Sequence, residues 1–245
     1  LCAPLAVEDL VVQSMPDASP AKWHLAHTTW FFDTFVLSSG RREGVGRPGY
    51  EHIFNSYYNT VGTAFPRQRR GTLSRPTAQE IWDYRERVDR AVPALFDELS
   101  GDALDSAASI LEVGLHHEQQ HQELLVTDIK HALGHNPLRP PYDVALADDR
   151  ADAVPMEMVS FEGGVKEIGW GAEGFAFDNE RPRHRVFLDD FRLASRLVTN
   201  EEFQSFMADD GYGRHELWLD AGWSWVRSEG VCAPMYWERE GDAWQ

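Results

Sequence analysis

Leu115-His116-His117-Glu118-Gln119-Gln120-His121-Gln122-Glu123 lies inside a stretch, Asp102 to Leu133, that contains no proline and stops at Gly134. Glycine is a natural helix terminator, so the stretch predicts one long helix over 102–133. At about 100° and 1.5 Å per residue, His117 and His121 sit about 40° apart on one face and about 6 Å apart along the axis. Two imidazoles so placed can reach one ion. Ile110, Val113, Leu124 and Asp128 fall within about 40° of His117 by the same arithmetic. The pair is therefore expected to face an apolar seam, the placement that a metal site in a bundle core needs.

Outward from this helix, the first part of the chain reads as helical. Ser19-Pro20 opens Ala21–Leu37, which has no internal proline or glycine and is followed by Gly40; proline after a serine cap is a start signal. Thr77-Ala78-Gln79-Glu80 is a capping box after Pro76. Its helix is expected to reach Leu99, with Pro93 as a point of disturbance. A shorter helix around Val7–Gln13 would be a fourth member. Four such helices are best satisfied by an antiparallel bundle over residues 1–140. Residues 141–154, rich in proline and then aspartate, read as a linker. From 155 to 245 the texture is short: Met158–Phe161 and His184–Leu188 suit strands, and Thr199-Asn200-Glu201-Glu202 could open a helix through Met207. The expected fold class is a four-helix bundle followed by an incomplete, loop-rich α+β domain.

The pair at 117 and 121 needs a third ligand from a facing helix. Trp23-His24-Leu25-Ala26-His27-Thr28-Thr29-Trp30 offers two. His27 shares a stripe with Trp23, Phe31 and Thr34; His24 lies about 60° away, so periodicity does not choose between them. Neutral imidazole suits iron, zinc, copper or nickel, and three such ligands leave coordination positions open. Burying several imidazoles without a common partner would be costly. His24, His116 and His131 otherwise read as surface or packing histidines.

Composition narrows the function. The 245 residues are 42% hydrophobic and 26% charged, an ordinary globular balance. No apolar run approaches the ~20 residues of a membrane span. The net charge of −17 argues against a nucleic-acid partner. Two cysteines, Cys2 and Cys232, are too few for a disulfide scaffold and fit a reducing cytoplasm. No basic-then-apolar leader follows Leu1, so no secretory signal is expected. Against this acidic background, residues 41–75 carry seven arginines (Arg41, Arg42, Arg47, Arg67, Arg69, Arg70, Arg75) and two acids. The planar guanidinium fork fits carboxylates, which marks an anion site.

Two rival readings come from the same residues. His117-Glu118-Gln119-Gln120-His121 matches the His-Glu-x-x-His zinc-hydrolase string with Glu118 as base. The metzincin continuation fails, because Leu124 and Thr127 stand where glycine and histidine belong. The other rival is a non-catalytic binding module built on packed histidines.

Three sets of residues together carry a family resemblance. Ser19 through Trp30, Phe54-Asn55-Ser56-Tyr57-Tyr58 and Leu115 through Lys130 resemble the sulfoxide synthases of ergothioneine biosynthesis. Met158 through Gly164, Asn179 through Val186, Val198 through Phe203, Trp218 and Gly222-Trp223-Ser224-Trp225 are similar to the second domain of that family. The resemblance implies a DinB-like four-helix bundle joined to a formylglycine-generating-enzyme-like, C-type-lectin-like α+β domain, the latter partial. It implies an iron(II)- and dioxygen-dependent oxidoreductase that joins cysteine or γ-glutamylcysteine to hercynine and leaves a sulfoxide. The three-histidine iron site maps onto His27, His117 and His121, the hercynine-binding glutamine onto Gln120, and the arginine pair for the thiol's carboxylates onto Arg67 and Arg70. The catalytic tyrosine of the family belongs to a later portion than the matched region, so no catalytic side chain is assigned. Ovothiol-type and selenoneine-type synthases share the architecture and differ in acceptor or donor.

Overall fold

Ser19 and Pro20 do begin the first long helix, but each stands one place earlier than read. In the computed structural model, which describes residues 1–39, 44–142, 153–241 and 243–244, Pro20 is the N-cap of α1 (Ala21–Phe31). Ser19 instead donates its backbone N–H to Asp128 Oδ2 at 2.8 Å. α1 continues as a π-helical stretch, Phe32–Leu37. Of the eleven residues of α1, ten are buried, so it is the central helix of its unit and has no solvent face.

A one-turn helix, α2 (Tyr50–Ile53), follows. The capping box forms as expected: Glu80 N–H donates to Thr77 Oγ1 at 3.2 Å and Thr77 N–H to Glu80 Oε2 at 2.8 Å. It opens α3 (Ala78–Phe96), which passes through Pro93 and ends three residues short of Leu99. Ile81, Tyr84, Val88 and Leu95 turn inward against Trp30, Phe32, Val36 and Leu37 in the main core. α4 spans Gly101–Gly134. It runs antiparallel to α1, since His27 meets His117 while His24 meets both His121 and Asp128.

Two expectations fail in this unit. Val113 and Leu124, placed in the apolar seam by periodicity, are 41% and 49% exposed. The face of α4 that meets α1 is narrower than a ±40° sector, because the two helices cross closely at Gly114. A Cβ there would lie 2.7 Å from Phe32 Cε1 and 3.0 Å from Phe31 Cε1. The helix expected around Val7–Gln13 is a single 3₁₀ turn, Asp9–Val11. Leu10 and Cys2 there pack against Leu125, Ile129 and Leu133 of α4, so burial is achieved without a full helix.

The chain divides into two compact units, Leu1–Leu146 and Ala147–Gln245. Most of the linker read at 141–154 lies outside the described residues. In the second unit β1 (Met158–Phe161) pairs antiparallel with β4 (Phe191–Ala194), and β2 (Gly164–Ile168) with β3 (His184–Leu188). α5 (Asn200–Ala208) starts at the Thr199–Glu202 capping box. α6 (Asp220–Glu229) carries the Gly222–Trp225 motif as a helix that periodicity had not marked. A two-residue ladder, β5 (Arg239–Glu240) with β6 (Ala243–Trp244), ends the described chain. Among the described residues of this unit Val226 is the one buried hydrophobic side chain. Among the described residues no helix is long and apolar enough to cross a membrane.

A buried carboxylate ties the π-helical stretch to Val45 and Gly46. Asp33, 5% exposed, accepts from Val45 N–H, Gly46 N–H and the Tyr84 hydroxyl at 2.8, 2.9 and 2.8 Å. Tyr84→Phe removes one of the three donors that the described residues give this carboxylate and is expected to cost about 1–3 kcal/mol. Urea unfolding checks this; an unchanged midpoint would show that the hydroxyl contributes nothing.

Candidate metal centre

α1 and α4 bring the predicted ligands together. One nitrogen from each of His27, His117 and His121 lies within 4.8 Å of the others. His27 is fully buried and stacked on Trp23, with centroids 4.6 Å apart and planes 12° from parallel. Its Nδ1 is 2.5 Å from the Phe54 carbonyl oxygen. A carbonyl only accepts, so His27 carries its proton on Nδ1 and presents a lone pair at Nε2. That nitrogen faces His117 Nε2 at 3.2 Å. His117 Nδ1 is buried and finds no hydrogen-bond partner among the described residues.

Burial holds all three rings neutral. Loss of water lowers the pKa of His27 to about 3, of His117 to about 4 and of His121 to about 2. The Phe54 hydrogen bond opposes the shift at His27, while neighbouring histidines deepen it at His27 and His121. Such a cluster cannot relieve itself by taking up protons. Converging neutral nitrogens with an unpartnered buried atom fit a borderline cation such as iron or zinc, which would draw on their lone pairs.

The motif Phe54–Tyr58 supports this centre. Asn55, fully buried, donates from Nδ2 to the carbonyls of Tyr58 and Gly62, both at 3.0 Å, and accepts from Tyr58 N–H at 2.9 Å. The loop so tied presents the Phe54 carbonyl to His27. Trp23 Nε1 donates to the Ile53 carbonyl at 2.8 Å, which fixes the indole beneath the imidazole.

The basic residues divide. Arg70 is buried, with its guanidinium 3.3 Å from the Trp23 ring centroid. It donates to Ser19 Oγ at 2.9 Å and Ser56 Oγ at 3.2 Å, while its Nε has no partner among the described residues. Desolvation, then the charge of Arg67, pull its pKa down to about 9. Guanidinium, indole and imidazole thus stack towards the centre. Arg67 is exposed, and so is Gln120. Arg47 is turned to Glu80 in an ion pair. Arg41 and Arg42 lie outside the described residues.

His24 falls on the packing side of its sequence reading: it is buried, and its Nδ1 lies 2.9 Å from His121 Nδ1. His131 is a packing residue as read, sharing a 2.7 Å hydrogen bond with Ser14 Oγ. Glu118 is held by Arg85 Nη2 at 3.0 and 3.2 Å. That pairing deprives the zinc-hydrolase reading of its free base.

Residues 1–125 match the DinB superfamily. The chain belongs to the DinB superfamily. Residues 144–243 of this DinB protein match the sulfatase-modifying factor enzyme 1-like domain. It is 30% identical over 233 residues to a protein named hercynine oxygenase from Mycolicibacterium thermoresistibile, covering 92% of this chain and 49% of that one. A hercynine oxygenase of Mycobacterium tuberculosis is 27% identical over 235 residues, covering 95% and 53%. Ergothioneine biosynthesis protein 1 of Neurospora crassa is 25% identical over 171 residues, covering 64% and 19%. The chain spans about half the length of the hercynine oxygenases it matches. The pairing of the two domains, together with these relatives, bears out the family resemblance and the fold class read from the sequence.

Because Glu118 is bound by Arg85, Glu118→Gln is expected to leave divalent-metal stoichiometry unchanged. Loss of the charged hydrogen bonds should cost about 1.5–3 kcal/mol of stability. Metal analysis and chemical denaturation check these two outcomes, and a peptidase assay distinguishes the site from a hydrolase; peptide cleavage that vanishes in Glu118→Gln would contradict this reading.

Proposed function

We propose that this chain is an iron(II)- and dioxygen-dependent sulfoxide synthase that joins cysteine or γ-glutamylcysteine to hercynine. The overall reaction balances as thiol S–H plus imidazole C2–H plus O₂, giving the S-oxide with a new C–S bond and one water. The observation that carries the proposal is the convergence of His27, His117 and His121 inside a DinB bundle whose relatives are named hercynine oxygenases.

His27, His117 and His121 would hold the ion through neutral nitrogens and leave positions open for reactants. Bound iron(II) would supply electrons to dioxygen and a Lewis acid that favours the thiolate over the thiol. The remaining roles fall to the chain's own groups. Arg70, with hydroxyl and not carboxylate partners, and the neighbouring Arg67 would bind the carboxylates of the thiol substrate. Gln120 lies one residue before His121, so its amide would hydrogen-bond hercynine beside the centre. Tight packing of Trp23, Trp30 and Phe31 around the rings would keep water from the inner side of the site. The reaction runs on soluble small molecules, with neither nucleic acid nor membrane as partner, in a cytoplasmic setting.

The non-catalytic reading leaves the cluster unexplained, because a merely packed core has no reason to collect three unprotonated imidazoles. The test is an oxygen-uptake assay on anaerobically iron-loaded protein, with products identified by mass spectrometry. Uptake is expected only with hercynine and a thiol together, yielding the sulfoxide. Arg67→Ala should raise the thiol KM about tenfold with little change in kcat, as expected for loss of a charged contact to bound substrate. Iron-loaded protein that consumes no oxygen with any imidazole–thiol pair would overturn the proposal.

A further inference from the structure

We propose that His24 and Asp128 are positioning residues that hold His121 in the tautomer that leaves its Nε2 unprotonated and able to ligate. The proposal rests on the metal reading above and assigns a role to two residues outside the ligand set. A carboxylate accepts hydrogen bonds and cannot donate them. Asp128 Oδ2 lies 2.9 Å from His24 Nε2, so that ring nitrogen bears the N–H. His24 in its neutral form then has a lone pair at Nδ1, and this atom is 2.9 Å from His121 Nδ1. Two nitrogens at that distance share one proton. With His24 as acceptor, the proton belongs to His121 Nδ1, and His121 Nε2 is left as a lone pair.

The chain Asp128–His24–His121 therefore works in one direction: carboxylate to imidazole, imidazole to ligand. Outer hydrogen bonds of this kind set the tautomer and raise the basicity of a metal-bound histidine.

The geometry is fixed from both helices. Asp128 follows His121 by seven residues, two turns along α4, and His24 precedes His27 by one turn on antiparallel α1. Ser19 N–H donates to the same Asp128 oxygen at 2.8 Å, which pins the carboxylate from the start of α1. The side chains of His24 and Asp128 are 5% and 13% exposed, so water competes little for these bonds. His27 receives equivalent support from the Phe54 carbonyl.

The test pairs cobalt(II) affinity with direct observation of the tautomer. His24→Leu and Asp128→Ala are expected to weaken cobalt binding about 10- to 100-fold, measured by competition with a chromophoric chelator, whereas His24→Gln, which keeps an acceptor oxygen, should stay within about threefold. Thermal unfolding of the metal-free variants verifies that each folds. Long-range proton–nitrogen NMR of ¹⁵N-histidine-labelled, metal-free wild type should show His121 protonated at Nδ1, which decides the matter even if His24→Leu does not fold. Unchanged affinity in His24→Leu, equal loss in His24→Leu and His24→Gln, or a proton on His121 Nε2 would each overturn the relay. Wild-type chain that takes up no cobalt would overturn the metal reading instead, while the NMR signal would still decide the relay.

Discussion

The constraint on which the rest of this structure depends is that three imidazoles, two buried and that of His121 partly so, are packed together in neutral form. Each has lost most of its hydration, and burial pulls their pKa values to between about 2 and 4. The lone pair at His27 Nε2 faces His117 Nε2 at 3.2 Å. A cation would draw such nitrogens together. The surrounding fold makes sense as apparatus for keeping the rings dry, neutral and aimed.

That apparatus works at three levels. Gly114 lets α4 approach the phenyl rings of α1 closely, which sets the interhelical distance. Antiparallel packing then places one-turn spacings on α1 opposite one-turn spacings on α4, so His27 meets His117 and His24 meets His121. The Asn55 loop completes the arrangement by turning the Phe54 carbonyl to His27. Arg70 over Trp23 over His27 carries the same order outward, from the clustered imidazoles to a buried guanidinium whose Nε has no partner among the described residues.

Much of this was legible in the residues, and the failures have definite causes. The i, i+4 histidines, the uninterrupted stretch around them and the Thr77 box each encode local structure, and local structure formed at those places. Choosing between His24 and His27 was beyond periodicity because α1 is buried on all sides; a 60° offset then separates nothing. The role of His24 depends on Asp128, a partner 104 residues away, and no local pattern reports such a pairing. Val113 and Leu124 were misplaced because a helical wheel fixes angles but not the width of the contact, which Gly114 narrows. Arg70 looked like one of seven loop arginines, and only the folded chain shows its guanidinium laid on an indole. In the second unit the short strands and the Thr199 box were readable, whereas α6 was hidden in a tryptophan-rich run with an internal glycine.

X-ray absorption spectroscopy of the anaerobically iron(II)-loaded chain tests the central claim most directly. One iron per chain is expected, with multiple-scattering features from three imidazoles and nitrogen distances of about 2.0–2.2 Å, near the values seen for imidazole on borderline divalent ions. A shell containing only oxygen or sulfur, or an imidazole signal unchanged when His27, His117 and His121 are all replaced, would contradict it.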